Sequence, residues 1–281
     1  MVRRGFKLTR ERGVVWLLKE LFGWLLPLRV MINILLLVFN SIFLRDLICS
    51  ISGIHTNQLW RERSKQFEKV VANEVSKPMA RVMEIGTWFG AGSTRVILKH
   101  LADDGVFYSV DSWSAKEYLG LSGHTSKSAR GMATVTQSAW LSSASRLFKS
   151  QKSHQNANLI QIRADSKDLS ELFNPKMKFD IIYIDGSHVY KDVQRDLEFA
   201  IRQISIGGLI CGDDLDLGLG LDKSYFDLAL ENLEMDLVVL PDGNSFHPGV
   251  LLALSEKFQN VESSKGFWWV RVKTPQNLEV I

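Results

Sequence analysis

The sequence predicts an α/β fold in which a doubly wound, mostly parallel sheet is flanked by helices. Two observations lead to this prediction. Short apolar stretches alternate with stretches of helical character over residues 81–211, and the connections between them are short. Two of the apolar stretches end in an aspartate, Asp111 and Asp185. Because ligands of such sheets bind at the carboxyl ends of the strands, these two positions are the first candidates for a site.

The elements follow in chain order. Five strands are predicted first, at residues 81–85, 106–110, 158–163, 179–184 and 208–211. Helices are predicted at residues 93–101 and 189–203. Further strands are expected at residues 237–240, 250–253 and 266–272, with the final pair as an antiparallel edge hairpin.

The first fifty or so residues differ from the rest because residues 14–28 and 30–47 are strongly apolar and follow a basic flank. We divide the chain into a helical extension, residues 1–58, and a catalytic-sized domain, residues 59–281. Charged and polar residues interrupt the apolar run, which disfavours a helix that spans a bilayer. Either the extension lies on a membrane surface through residues 1–50, or it packs on the domain or on a second copy in a homo-oligomer.

Composition excludes several classes. An apolar fraction of 46% and a charged fraction of 23% are typical of globular proteins and not of disordered or collagen-like chains. The net charge of +3 indicates no nucleic-acid partner. Two cysteines, Cys49 and Cys211, suit free thiols in a reducing compartment. We therefore expect a cytoplasmic protein, either free or peripheral on the cytoplasmic membrane face.

Residues 113–153 interrupt the strand pattern with a stretch rich in Ser, Thr, Gly and Lys. Long segments of this kind inside a domain are usually functional or disordered. We interpret the segment as a lid-like insertion that contains a helix, against the alternative of an inert surface excursion.

The glycine turn after the first strand is the sharpest signal in the sequence. It has the spacing E-x-G-x-x-x-G-x-G-S over residues 84–93, which differs from the G-x-G-x-x-G that seats a pyrophosphate. Glycine lets a ligand approach the backbone closely, and the helix that begins at Ser93 offers free N–H groups. Glu84 before the turn would suit a ligand with an ammonium group, such as the methionine moiety of S-adenosylmethionine.

Two further positions extend this prediction. Asp111 could accept hydrogen bonds from both hydroxyls of a ribose, and Asp165 with Ser166 would flank an adenine edge. Each has a structural alternative as a turn or capping residue. The predicted cofactor site comprises Glu84, Gly86, Gly90, Ser93, Asp111, Asp165 and Ser166.

Three carboxylates are expected to converge at the ends of neighbouring strands: Asp185, Asp213 and Asp214. Like charges at close range need a counterion, and oxygen ligands favour Mg²⁺ or Ca²⁺ over zinc. The alternative is that one aspartate caps a helix and the others are solvated. His188 lies just past the strand end, where a neutral imidazole could take a proton from an acceptor hydroxyl. His247 is expected to open a strand near the C-terminus.

At these residues the chain resembles the class I S-adenosylmethionine-dependent methyltransferases, and most closely their macrocin O-methyltransferase and cephalosporin hydroxylase-like branch. The motifs that carry the resemblance are EIGTWFGAGS at 84–93, YIDGSHVYKDV at 183–193, IGGLICGDD at 206–214 and HPGV at 247–250. Some relatives carry an acidic base two residues after the first metal ligand, where this sequence has Ser187.

The resemblance implies a Rossmann-like sheet of seven strands and S-adenosylmethionine contacts at Glu84, Gly86 and Asp111. It also implies a Mg²⁺ site at Asp185, Asp213 and Asp214, and methyl transfer to a hydroxyl of a sugar, glycan or small natural product. Asp185 and His188 are then the predicted catalytic residues. Two other functions remain open: a metal-dependent hydroxylase or hydrolase with the same fold, and a membrane-associated binding protein without catalysis.

Overall fold

A sheet of seven strands forms the centre of the fold. The computed structural model describes residues 49, 54–59, 61–120 and 126–273. Its strands are β1 (Arg81–Ile85), β2 (Val106–Asp111), β3 (Asn158–Arg163), β4 (Phe179–Ile184), β5 (Ile204–Leu215), β8 (Glu262–Ser264) and β9 (Gly266–Arg271). They lie in the order β3-β2-β1-β4-β5-β9-β8. Neighbouring strands from β3 to β5 pair in parallel, whereas β9 pairs antiparallel with both β5 and β8. The predicted fold class is confirmed.

Helices cover both faces of this sheet. In chain order they are α1 (Arg61–Val75), α2 (Ser93–His100), α3 (Ala115–Gly120), α4 (Ser126–Gln151), α5 (Leu169–Leu172), α6 (Tyr190–Gln203), α7 (Lys223–Leu230) and α8 (Pro248–Lys257). Alternate residues of the strands point to opposite sides. Met83 and Ile85 therefore join the core under α6 and α8, whereas Val82 joins the core with Phe67 and Val71 of α1.

The segment predicted as a lid-like insertion forms the crossover between β2 and β3. It contains α3 and the 26-residue helix α4. Two neighbouring parallel strands need such a crossover, which explains why the strand pattern stops there. The predicted helix is present, and lid movement stays a prediction.

The predicted strand at residues 250–253 is wrong, because these residues lie inside α8. Pro248 stands at the first turn of this helix, and every residue from Val250 to Leu254 is buried. A short run that is apolar on all sides carries no period that separates a strand from a buried helix. The antiparallel hairpin at the sheet edge is β8 with β9. Residues 238–239 form β6 (Val238–Val239), which pairs with β7 (Ser245–Phe246) in a separate two-stranded sheet.

Most of the predicted extension, residues 1–48 and 50–53, lies outside the described residues. Cys49 and Ile54 belong to a small apolar cluster with Trp88, Phe89 and Trp113. Cys49 and Cys211 are both buried and form no disulfide, as expected. Among the helices of the described part, none has the length and apolar character that crossing a bilayer requires.

Candidate active site

A cavity of about 590 Å³ opens at the carboxyl ends of β1, β2 and β4. This volume lies within the range of small-molecule sites, roughly 300–1,000 Å³. Six residues predicted from the sequence line the cavity: Gly86, Asp111, Asp165, Ser166, Asp185 and His188. The strand-end rule thus brings the predicted residues of four separate segments together at one site.

Gly86 allows the ends of β1 and β4 to approach each other. Its φ is +92°, and an added Cβ would lie 1.8 Å from the carbonyl oxygen of Asp185. Its N–H donates to the carbonyl of Val110 at 2.9 Å. Only glycine fits this position, so the cavity floor is backbone here.

Glu84 and Ser93 lie beneath the glycine turn and are not among the residues that line the cavity, so their role as cofactor contacts stays a prediction. The fully buried Glu84 carboxylate accepts hydrogen bonds from Ser93 Oγ at 2.5 Å and Thr94 Oγ1 at 2.6 Å. Burial raises the pKa of Glu84 to about 7, although these two hydrogen bonds oppose the shift. Both residues tie the end of β1 to the start of α2.

Gly90 is likewise turned away from the cavity. Its φ is +67°, and an added Cβ would contact Ser143 of α4 at 3.4 Å. The second glycine of the turn therefore serves the packing of α4 on the turn. Its role as a cofactor contact stays a prediction.

Asp111 lines the cavity with its carboxylate fixed by two backbone donors. Oδ2 accepts from Trp88 N at 2.8 Å and Oδ1 accepts from Trp113 N at 2.7 Å. Burial raises the pKa of Asp111 to about 6, although both N–H donors oppose the shift. Each carboxylate oxygen keeps a second acceptor position, so the side chain could still accept two hydroxyl groups.

Asp165 and Ser166 form a short 3₁₀ turn at the opposite wall. Asp165 caps this turn by accepting from Lys167 N at 3.0 Å. Behind it, Asp196 of α6 is completely buried close to the Ser166 hydroxyl and to Gly186. Burial raises the pKa of Asp196 to about 7, against the lowering effect of Ser166.

The segment before α1 completes the cavity wall, which sequence analysis missed. Gln58 lines the cavity, and the His55 carbonyl accepts a hydrogen bond from Trp88 Nε1 at 3.1 Å. Trp88 itself lines the cavity with φ +51° and only 7% exposure. The wall therefore joins residues that the predicted boundary at 58/59 would separate.

The three predicted metal ligands do converge. Asp185, Asp213 and Asp214 each offer an oxygen within 4.8 Å of the others. Burial, reinforced by the charges of Asp214 and Asp185, raises the pKa of Asp213 well above its usual value. Three carboxylate oxygens are ligands that suit a hard divalent cation such as Mg²⁺.

Arg63 of α1 already lies on this cluster, and sequence analysis did not identify it. Its Nη1 is 2.7 Å from Asp213 Oδ1 and 3.1 Å from Asp214 Oδ1, and its Nη2 is 3.0 Å from Asp216 Oδ1. Burial alone would lower the pKa of Arg63, but the three carboxylates raise it above the usual value. The cluster is therefore partly neutralised by a fixed cation.

His188 has carboxylates beside both ring nitrogens. Nε2 is 3.0 Å from Asp214 Oδ2 and 4.0 Å from Asp185 Oδ1, and Nδ1 is 3.2 Å from Asp236 Oδ1. Burial alone would lower the pKa of His188, but Asp214 and Asp236 raise it well above the usual value. The carboxylates thus favour the charged form of the ring in this arrangement, and the expected role of His188 as a neutral base stays a prediction.

His247 does not open a strand. It precedes the first turn of α8, and its ring lies beside that of His188 with 4.4 Å between ring centroids. Its Nδ1 is 2.9 Å from Asp216 Oδ2. The HPGV motif thus places a second histidine next to the acidic cluster and outside the cavity lining.

The sheet order, the glycine turn after β1 and the acidic residues after β2 and β4 agree with the resemblance to the class I S-adenosylmethionine-dependent methyltransferases. Residues 83–215, a little under half of the chain, match the model of the family described as "Methyltransferase domain".

Solved structures that are similar to this chain include two O-methyltransferases. The O-methyltransferase TomG from Streptomyces achromogenes, in complex with S-adenosylmethionine, has 15% identity and a TM-score of 0.50, with 84% of this chain and 91% of that chain covered. The O-methyltransferase from Bacillus cereus, in complex with S-adenosylhomocysteine, has 16% identity and a TM-score of 0.42, with 82% and 89% covered. At these identities the likeness to TomG shows a shared fold. No curated protein matches the chain.

Proposed function

We propose that this protein transfers the methyl group of S-adenosylmethionine to a hydroxyl oxygen of a sugar, glycan or small natural product. The observation that carries the proposal is the convergence of Asp111, Asp185 and His188 on one cavity. Asp111, which is suited to bind a ribose, then faces the same cavity as Asp185 and His188, which are suited to proton transfer. Cofactor and acceptor would be held within reach of each other, which is the main source of acceleration for such a transfer.

The cofactor would be held by the cavity floor and two walls. Asp111 would accept hydrogen bonds from the ribose hydroxyls, and Asp165 with Ser166 would lie at the adenine edge. Gly86 leaves the floor open for a close approach of the ligand to the backbone. When bound, S-adenosylmethionine supplies the methyl group.

The proton of the acceptor hydroxyl would pass to the pair formed by Asp185 and His188. Asp185 Oδ1 lies 4.0 Å from His188 Nε2. Asp236 lies 3.2 Å from His188 Nδ1 and orients the ring. The acceptor oxygen would gain the methyl group and lose its proton to this pair, and cleavage of the sulfur–methyl bond would leave S-adenosylhomocysteine as the second product.

A divalent cation is part of this proposal. Asp185, Asp213 and Asp214 would hold Mg²⁺, which when bound would lower the pKa of the acceptor hydroxyl. Replacement of the three carboxylates would then affect turnover more than cofactor affinity, because only Asp185 lines the cavity.

Calorimetric titration of the full chain with S-adenosylmethionine tests the proposal. We expect micromolar affinity, about −8 kcal/mol. Asp111→Asn should weaken binding about tenfold or more, because a carboxylate makes stronger hydrogen bonds to hydroxyls than an amide does. Asp103→Asn changes an exposed aspartate of the loop before β2 and serves as the matched control.

The outcome decides between the open functions. Binding followed by release of S-adenosylhomocysteine with a hydroxyl acceptor supports methyl transfer. Binding without that product, but with oxidation or hydrolysis of the acceptor, would favour the hydroxylase or hydrolase alternative. A chain that binds no S-adenosylmethionine, with or without Mg²⁺, would contradict the proposal.

A further inference from the structure

We propose that Arg63 is an internal cation of the acidic cluster and takes over part of the charge neutralisation that a divalent ion would otherwise supply. The inference deepens the proposed function, because the cluster in question contains its proposed metal ligands. It makes Arg63 a positioning residue that acts through Asp213 and Asp214.

All three nitrogens of the Arg63 guanidinium contact an oxygen atom. Nη1 contacts Asp213 and Asp214, Nη2 contacts Asp216, and Nε donates to the carbonyl of Lys265 at 2.7 Å. The side chain is only 15% exposed. A planar fork with several donors suits this array of carboxylates better than a lysine ammonium does.

The sheet edge is shaped around Arg63. The turn between β8 and β9 consists of Lys265 at φ +57° and Gly266 at φ +88°. A Cβ added to Gly266 would lie 2.3 Å from Arg63 Nη2. The positive φ and the close approach both require glycine at position 266, so the guanidinium packs directly against the backbone of this turn.

Arg63 also reaches both histidines through the same carboxylates. The second oxygen of Asp214 faces His188 at 3.0 Å, and the second oxygen of Asp216 faces His247 at 2.9 Å. Loss of the guanidinium would free the first oxygens of these aspartates. The orientation of both imidazoles relative to the cluster therefore depends on Arg63.

Charge decides how Arg63 acts on a divalent ion. The proposed metal ligands Asp213 and Asp214 are the same carboxylates that contact Nη1. A cation bound to them would lie close to the guanidinium and be repelled in a partly buried setting, where charges are poorly screened. Arg63 should weaken divalent-cation binding and at the same time make the cluster stable without it.

The test compares four full-length proteins: wild type, Arg63→Gln, Arg63→Lys and Arg61→Gln. Arg61 is an exposed residue of the same helix, so its variant controls for the loss of one surface charge. Each protein is titrated with Mg²⁺ by calorimetry and melted with EDTA or with saturating Mg²⁺. Each is also titrated with S-adenosylmethionine.

We expect the melting temperature of wild type, Arg63→Lys and Arg61→Gln to be insensitive to EDTA and to rise less with saturating Mg²⁺ than that of Arg63→Gln. Arg63→Gln should melt lower, recover with Mg²⁺, and bind Mg²⁺ about tenfold or more tightly than wild type, because the repelling charge is gone. Equal or weaker Mg²⁺ binding by Arg63→Gln would overturn the inference. So would a wild-type protein that loses stability in EDTA.

A second variant covers the case in which Arg63→Gln does not fold. Gly266→Ala changes no charge but displaces the guanidinium, because its Cβ would lie 2.3 Å from Arg63 Nη2. A smaller increase in Mg²⁺ affinity is expected, and no increase overturns the inference. The titration with S-adenosylmethionine separates the two proposals. If no variant binds the cofactor, the proposed function fails while the Mg²⁺ result still decides the role of Arg63.

Discussion

Asp196 is a carboxyl group without solvent exposure, next to the wall of the cavity that holds Ser166. Its pKa of about 7 exceeds the usual value of 3.8 because burial disfavours the charged form. The folded protein therefore binds this proton more tightly than the unfolded chain. The free energy of unfolding must fall as pH rises from the usual pKa towards the folded one.

Asp196→Asn should remove this pH dependence, because an amide has nearly the same shape and does not ionise. Between about pH 4 and pH 7, wild type should lose up to about 4 kcal/mol of stability that the variant keeps, at 1.36 kcal/mol for each unit of pKa shift. Urea denaturation at a series of pH values measures the difference. Asp227→Asn, an exposed carboxylate on α7, should follow wild type. Parallel pH profiles of wild type and Asp196→Asn would contradict the prediction.

At the scale of elements, the start of α8 packs closely against the backbone segment that carries His188. Gly249 in its first turn packs against the backbone after β4, and an added Cβ would lie 2.2 Å from the His188 carbonyl oxygen and 2.4 Å from Tyr190 N. Both atoms belong to backbone, which cannot rotate away as a side chain can. The start of α8 thus fixes the backbone of His188.

Gly249→Ala should therefore push α8 away from the segment that carries His188. We expect a loss of about 1 to 3 kcal/mol, the usual effect of overpacking, measured by urea denaturation. Gly220→Ala places its methyl group in open space and should have little effect. Equal stability of both variants would mean that α8 can shift at no cost.

The sequence predicted local elements better than long-range contacts. The strands at 81–85, 158–163 and 179–184 have the predicted bounds because each is a short apolar run between turn signals. The strand-end rule found Asp111 and Asp185. It could not find Arg63, which meets Asp214 across 151 positions of the chain, nor Asp236, 48 positions from His188. In the sequence, Arg63 and Asp236 are charged residues near a helix start or a turn, and such residues usually lie on the solvated surface.

At the scale of the whole molecule, the N-terminal extension is the feature that the fold does not explain. Five basic residues precede the first apolar stretch: Arg3, Arg4, Lys7, Arg10 and Arg12. We propose that they bind anionic lipid headgroups and bring the domain to the membrane surface.

Sedimentation with lipid vesicles measures this association. The full chain should sediment with vesicles of anionic lipid, less with neutral ones, and salt should release it, because screening weakens contacts between exposed charges. Replacement of the five basic residues by glutamine keeps the apolar segment and should lower binding to anionic vesicles. If the variant and wild type bind both kinds of vesicle equally, the charges play no part.

The contact between Arg63 and the turn at Lys265 can form only late in the synthesis of the chain. Arg63 and its partner Lys265 are separated by 202 positions. At about 5 to 20 residues per second, a ribosome makes Lys265 roughly 10 to 40 s after Arg63. Arg63 lacks its carboxylate partners during most of that interval, and it lacks the turn at Lys265 throughout. The site can close only when the last strands emerge, so a pause in translation before the final hairpin would expose an unfinished sheet edge for longer.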